Sequence, residues 1–378
     1  MRYLAPYIKQ ELHKKMILLS GPRQSGKSTL AKSLLEKDGV YLNWDIRADK
    51  RIIRQIAWPK NSTLVVLNEL HKYAKWKNYL KGIADEFNNT PPILVTGSAR
   101  LDTFRREGDA LTGRYYHYHL HPIDLAESKF FLPALSIEDR INRLLLTGGF
   151  PEAFLNPMEA ERLRNNRFDL VIQEDLRDLS KTNSLRGIQL LIELLRERVG
   201  CSINYATLAE DLSVSPPTVK NWIELLERLY ILFLIPPYYK GFVRSIRKEH
   251  KLYFYDCAAA YEDQTKGARL ENMVACALFK FCQLQQDRFG KNFKLFYFRD
   301  RENREVDFVI TLDRKIHWCI EVKTSDTQLS PSLEYLHQRA HPKNSFQIVL
   351  NTNKIQEIRG IRIEPLGVWL DQLFLKKT

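Results

Sequence analysis

Residues 21–28 read Gly-Pro-Arg-Gln-Ser-Gly-Lys-Ser, a match to GxxxxGK[ST]. They follow a five-residue apolar run, MILLS (16–20), and open a helically spaced stretch, STLAKSLLEK (28–37), with Leu30, Leu34 and Leu35 on one face. An apolar run stopped by glycine reads as a buried parallel strand. Strand, glycine loop and helix in that order form the context in which this motif cradles phosphates. Gly21, Pro22, Arg23, Gln24, Ser25 and Gly26 would wrap the phosphate oxygens, because glycines let main-chain N–H groups converge there at a helix start. Lys27 would reach the β- and γ-phosphates, the Ser28 hydroxyl would ligate Mg²⁺, and Thr29 would touch the α-phosphate.

The strand signal repeats at VYLNW (40–44), TLVVL (63–67) and PILVTG (92–97), with a helical stretch at 72–88 carrying Tyr73, Trp76, Tyr79, Leu80 and Ile83. Alternation of this kind predicts a doubly wound α/β domain over roughly 1–130. A phosphate loop needs an acid at a neighbouring strand end to hold the Mg²⁺ water shell. After TLVVL the chain has Asn68-Glu69, where Asp-Glu is usual. Asn68 is a neutral, weaker anchor; Glu69 stands where a general base would polarise water, or is a plain strand-end carboxylate. Nucleotide binding with slow hydrolysis is the expectation. Asp45 offers a substitute anchor or a helix N-cap. Ser98 is placed to sense the γ-phosphate. Arg100 and Arg114 could neutralise phosphate charge, from this chain or from a neighbouring subunit of a homo-oligomer, or be solvated surface groups.

Taken in order, GPRQSGKS, VVLNELHK, LVTGSAR, LTGR and GGFPEA resemble the AAA-type ATPases of archaea and bacteria that carry a C-terminal DUF4143 region. The resemblance covers nearly the whole chain and departs at Asn68, where that family usually has Asp. It implies ATP and Mg²⁺ as cofactors.

Beyond the first domain, residues 137–200 read as helical, punctuated by Gly148-Gly149 and Pro151. Residues 203–230 have helix-turn-helix spacing: TLAEDL, a turn at SVS, then a helix that can begin at Pro216-Pro217. Leu208, Leu212, Val219, Trp222, Ile223, Leu225, Leu226 and Leu229 form its core stripe. Thr218, Lys220 and Asn221 would face a DNA groove, or the module would serve to pack domains together. Tyr238 and Tyr239, followed by Lys240, Phe242, Arg244, Arg247, Lys248 and Lys251, suit a phosphate track or a solvated strand pair. Strands return at KLYFYD, KLFYFRD, EVDFVITL and HWCIEVKT, with one strong helix at 267–284. Glu321 and Lys323 are two apart on a strand and share a face. Asp307 precedes them by a hairpin's length, and Glu271 sits early on the helix. Two carboxylates, Asp307 and Glu321, can bind Mg²⁺ while Lys323 orients water for phosphodiester attack. The arrangement resembles the PD-(D/E)xK restriction-endonuclease-like superfamily, and the DUF4143 family ends in such a domain. A surface salt-bridge pair on an inherited fold is the bland alternative.

The expected fold class is α/β. A P-loop NTPase domain spans 1–132, a helical lid or linker 133–186, a winged helix 187–245 and a nuclease-like α/β domain 246–378. The formal charge of +13 points to acidic partners, nucleic acid (DNA) first among them. The 5 cysteines include no CxxC pair, which argues against structural zinc and a disulfide framework. No run approaches the roughly 20 apolar residues of a membrane span, so a cytoplasmic protein without a membrane partner is expected. The functional expectation is a nucleotide-dependent switch or ATPase acting on nucleic acid. The alternatives are a Mg²⁺-dependent DNA nuclease regulated by nucleotide, and a non-enzymatic ATP-binding scaffold.

Overall fold

The apolar run at 16–20 does form a strand, β1 (Met16–Ser20), buried along its whole length. The structure, a computed structural model, describes residues 2–97, 111, 113–172, 185–239, 249–261 and 266–375. The chain separates into two units, one of residues 1–122 with 228–230, the other of residues 123–227 with 231–378.

In the first unit β1 is joined by β2 (Val40–Asn43), β3 (Val65–Asn68), β4 (Ile93–Thr96) and β5 (Tyr115–His119). The sheet order is β2-β3-β4-β1-β5, and every pairing is parallel. Strands β3 and β4 are fully buried, which is why they read as unbroken apolar runs rather than alternating ones. The chain leaves β1 for the β2 edge and later returns to β5 on its other side. The loop after β1 therefore lies at a topological switch point, at the carboxyl ends of the strands. Trp44, Trp58, Trp76, Leu80 and Ile83 pack against one face of this sheet.

Helix boundaries differ in places from the sequence reading. The helix expected over 28–37 runs Lys27–Ser33. Its exit tightens into i→i+3 bonds, Leu34 N–H to Ala31 O and Leu35 N–H to Lys32 O, both 3.2 Å. The 72–88 stretch divides into a short 3₁₀ turn at Leu70–Lys72 and a helix at Trp76–Phe87.

The second unit includes, after a one-turn helix at Leu125–Ser128, helices at Ile137–Thr147, Pro151–Leu155, Ala160–Leu170 and Leu185–Arg196. Gly148 is required between the first two of these four. It holds φ +74°, and a Cβ there would stand 1.9 Å from Asp256 Oδ1. Helices Tyr205–Asp211 and Pro216–Arg228 follow, the latter starting at the proline pair as expected. Val219, Trp222, Ile223 and Leu226 are its buried face. Strands β6 (Leu232–Ile235) and β7 (Lys251–Phe254) pair antiparallel.

The helix expected over 267–284 extends over Lys266–Phe289. It precedes an antiparallel meander of β8 (Phe293–Arg299), β9 (Glu305–Leu312) and β10 (Lys315–Lys323). After the helix Pro331–Ala340, β11 (Asn344–Val349) joins β10 in parallel. Strands β12 (Gln356–Ile358) and β13 (Ile361–Pro365) complete a six-stranded sheet in the order β12-β13-β11-β10-β9-β8. All five cysteines are free. Among the described residues no helix is long and apolar enough to cross a membrane.

Candidate functional site

Gly21 leaves β1 with φ +142°, and a Cβ at this position would meet the Leu120 carbonyl oxygen at 2.4 Å. Only glycine lets the chain turn there beside β5. Gln24 and Gly26 hold φ +60° and +92°, so the loop winds back on itself before the helix starts at Lys27. The Lys27 ammonium is buried and donates to the carbonyls of Gly21 (2.9 Å) and Pro22 (2.6 Å). Ser25 is fully buried, and its hydroxyl has no hydrogen-bond partner among the described residues. An orphaned polar atom inside a loop wound at a helix start fits a ligand rich in oxygen acceptors. Arg23 is half-buried, and Gln24 and Thr29 are exposed at the loop's surface.

Ser28 Oγ donates to Asn68 Oδ1 at 3.0 Å, and Thr96 Oγ1 donates to the same oxygen at 2.6 Å. Asn68 Nδ2 in turn reaches Asn43 Oδ1 at 3.3 Å. The strand order explains this row, since β4 lies between β1 and β3 and β2 lies beyond. Asn43, Asn68 and Thr96 are the residues at the carboxyl ends of β2, β3 and β4, in direct register. Nothing in the sequence marks Thr96 and Asn43 beyond their each ending an apolar run, as Asn68 does.

Glu69 follows with φ +57° and is anchored through its N–H to Thr96 O (2.9 Å). Its carboxylate lies 3.6 Å from both His71 Nε2 and Lys72 Nζ. Asp45 pairs with Lys72 at 2.7 Å, and Ile46, not Asp45, is the N-cap of the Arg47–Gln55 helix. Arg114 is not brought to the loop. Register pairs Met16 with Tyr115 and Ser20 with His119, so Arg114 lies at the end of the sheet opposite residues 21–28. There it donates to Asp85 at 2.7 Å. Ser98 and Arg100 lie outside the described residues, as do Lys240, Phe242, Arg244, Arg247 and Lys248.

The second constellation forms in the C-terminal sheet. Asp307 Oδ2 accepts the Val322 N–H at 2.8 Å, just beyond the paired Phe308 and Ile320. Glu321 is buried, lies 2.8 Å from Lys323 Nζ, and accepts from Ser330 Oγ at 3.3 Å. Its other oxygen, Oε2, has no partner among the described residues. Burial, then the charges of Glu271 and Glu321, push the Asp307 carboxyl well above the usual carboxylate range. Burial also raises Glu321, against the pull of Lys323. Burial lowers Lys323, but the Glu321 carboxylate outweighs it and leaves the ammonium above its ordinary value. Two raised carboxyls and an orphaned carboxylate oxygen fit a divalent cation. Among the described residues no group of three or more His, Cys, Asp or Glu side chains gathers to hold one.

Glu271 reaches this cluster but is already engaged. It accepts from Tyr253 OH at 2.6 Å and from Lys251 Nζ at 3.1 Å, and Lys251 also pairs with Glu305 at 2.6 Å. Lys251, counted in the sequence with a surface phosphate track, is buried. The correction has a plain cause: β7 runs beside the Lys266–Phe289 helix, so its first residue faces the acids and not solvent. Burial pulls this lysine down, but Glu271, Asp307 and Glu305 more than offset it and hold the ammonium charged.

Three family descriptions match the chain. Residues 13–129 match one described as "AAA domain", residues 138–262 a domain of unknown function (DUF8612), and residues 266–368 a domain of unknown function (DUF4143). Similar proteins include an uncharacterized protein of Mycobacterium tuberculosis, 22% identical over 347 residues, covering 88% of this chain and 76% of its own length. Another, from Methanocaldococcus jannaschii, is 24% identical over 385 residues, covering 85% and 78%. Among solved structures, the Aeropyrum pernix ORC1 protein in complex with DNA is 14% identical, with 71% of this chain and 94% of that chain covered and a TM-score of 0.35. The replication initiator DnaA bound to AMPPCP and single-stranded DNA is 12% identical, with 59% and 86% covered and a TM-score of 0.33. Superpositions this loose carry no weight for function. The ordered motifs, the loop geometry and the two flanking matches agree: the chain joins an AAA domain at residues 13–129 to a DUF4143 region at residues 266–368.

Proposed function

We propose that this chain is an ATP-binding switch of the AAA type that acts on nucleic acid, DNA in the first instance, and hydrolyses ATP slowly. The observation that carries it is the Ser28–Asn68–Thr96 arrangement behind a wound glycine loop. Main-chain amides of 21–28 and the Lys27 ammonium would hold the triphosphate, and Ser28 would hold its Mg²⁺, which supplies charge neutralisation between the phosphates. The partner of Ser28 is a neutral amide rather than a carboxylate. That weakens the hold on the cation's water shell and supports slow turnover. Glu69, at the end of β3, would orient the attacking water once freed from Lys72. Arg114 is remote from its own loop, so a phosphate-neutralising role would be exerted on a neighbouring copy.

The helices at 205–211 and 216–228 support a winged helix over 187–245, and the β6–β7 pair would supply a wing whose second strand lies beyond that expected boundary. The helical segments of 133–186 would act as the lid. Phosphate release from ATP, measured on wild type and Lys27→Ala, tests the reading: turnover confined to wild type supports it, and no nucleotide uptake by wild type overturns it. Rescue of turnover on mixing Lys27→Ala with Arg114→Ala would support action between copies.

A second reading has its own observation. The orphaned Glu321 Oε2 beside Asp307 and Lys323 supports a Mg²⁺-dependent nuclease in which nucleotide is regulatory. The order helix, three-strand meander, helix, parallel strand over 246–378 supports a nuclease-like fold. Here Asp307 and Glu321 would hold the cation, which would supply Lewis-acid polarisation of a phosphodiester, and the Lys323 ammonium would orient the attacking water. Plasmid nicking that survives Lys27→Ala and vanishes in Asp307→Ala selects this reading. ATP-dependent thermal stabilisation with neither reaction selects a non-enzymatic scaffold.

A further inference from the structure

An open groove of about 1510 Å³ in the C-terminal sheet domain is used by neither candidate site. We propose that this groove binds a single strand of nucleic acid, its phosphates against the groove's cations and its bases against its aromatic rings. The inference deepens the nucleic-acid half of the function proposed above and does not need the nucleotide half.

Six cations line the groove: Arg299, Arg301, Arg314, Lys315, Arg339 and Lys343. All are exposed. Arg301, Arg314, Lys315 and Lys343 form no ion pair with any described residue, so their charge is available to a ligand. Arg299 reaches Glu305 only at 3.8 Å, an exposed contact worth little. The acid among the described lining residues, Asp300, is neutralised by Arg304 at 2.6 Å. An uncompensated positive groove attracts a polyanion.

Shape narrows the choice. Arg299 and Arg301 lie at the β8–β9 turn, and Arg314 and Lys315 at the β9–β10 turn, so the cations bracket the length of β9. At about 3.4 Å per residue that separation is roughly 24 Å. The volume exceeds the roughly 300–1,000 Å³ of small-molecule sites. Both facts favour an extended polymer over a single nucleotide.

The aromatic wall separates a single strand from a duplex. Tyr238, Tyr239 and Phe298 line the groove half-buried. The Tyr238 N–H donates to Tyr297 O at 2.7 Å, which docks this segment on β8, and its ring packs edge-on against Phe296. Rings interleaved with cations suit unpaired bases, whose faces a duplex hides. One further polar atom awaits a partner: His317 lines the groove, is 7% exposed, and its Nε2 has no hydrogen-bond partner among the described residues. Burial, with Lys343 and Lys291 nearby, lowers its pKa, so a neutral imidazole is available to a base edge.

The test is fluorescence anisotropy of a labelled oligothymidine of about 20 nucleotides with the full chain, across a KCl series. Arg301→Glu/Arg314→Glu/Lys315→Glu alters three exposed turn positions. It should weaken binding at least tenfold and reduce the slope of log affinity against log salt by about 2, at roughly 0.7 per phosphate contact. Tyr239→Ala/Phe298→Ala should weaken binding about tenfold with the slope unchanged, while Tyr239→Phe binds as wild type. Lys27→Ala should retain oligothymidine binding, so failure of the ATP reading leaves this result standing. Unchanged affinity in the folded charge-reversal variant, checked by its circular dichroism, overturns the proposal. So does tighter binding of a duplex of equal length, or displacement by polyglutamate with the aromatic variants indifferent, which would mark an acidic protein as the partner.

Discussion

The phosphate-loop unit and the C-terminal unit handle charge in opposite ways. Around the loop the polar contacts are mostly uncharged: Lys27 rests on two carbonyls, and Ser28, Thr96, Asn68 and Asn43 share amide and hydroxyl groups. The other unit buries ions outright. Asp256 lies against Arg164 (3.0 Å) and Arg167, Lys280 between Asp124 (3.1 Å) and Glu127 (2.8 Å), and Lys251 between Glu271 and Glu305. The first is built from backbone carbonyls and neutral amide and hydroxyl side chains. The second is built from charged side chains held in buried ion pairs. An arrangement held by backbone survives most substitutions, whereas a buried ion pair becomes costly when one partner is lost.

The sharpest way to break the contrast is Asp256→Ala, which leaves two buried guanidiniums without their carboxylate. It should cost about 3–5 kcal/mol, read as a lowered midpoint in urea. The pair also predicts an acid limit. Burial pushes the Asp256 carboxyl up, but the two guanidiniums outweigh it and hold it below its ordinary 3.8. Its contribution is therefore present above that value and lost as pH falls through the lower folded-state value, so wild type and Asp256→Ala should converge in stability in strong acid. Next in size, Lys27→Ala should weaken ATP binding on the order of 100-fold, about 2.7 kcal/mol, by equilibrium dialysis. Asp307→Asn should weaken Mn²⁺ binding about 30-fold by calorimetry, with ATP affinity retained. The smallest effect is expected from Asn68→Asp. It should raise phosphate release by about tenfold at most, because the new carboxylate would face Asn43 Oδ1, and Asn43 already uses that oxygen to accept the Asp45 N–H at 3.2 Å. Adding Asn43→Ser should enlarge the gain; no gain in either variant would remove Asn68 as the cause of slow turnover.

What the sequence discloses follows the same division. The loop is eight consecutive residues after a strand buried on both faces, so spacing alone gives its position and chemistry. Strands β3 and β4 are legible for the same reason. Glu321 and Lys323 are legible as a period-two pair, and Asp307 joins them through hairpin geometry. The partners of Lys251 are not legible, because Glu271 and Glu305 are remote along the chain and a lysine among aromatics looks solvated. The groove is hidden likewise, its cations coming from two hairpin turns and the end of the 331–340 helix. Arg114 is a different case: parallel register carries it to the end of the sheet away from its own loop, a placement that its position in the sequence does not disclose.

The buried ammonium of Lys251 has one more consequence. A cation fixed by a covalent stem cannot be extracted by a chelator. Treatment with EDTA would thus strip whatever Asp307 and Glu321 hold while leaving Glu271 and Glu305 balanced, so the demetallated protein should keep its shape and regain any metal-dependent activity as soon as the ion is restored.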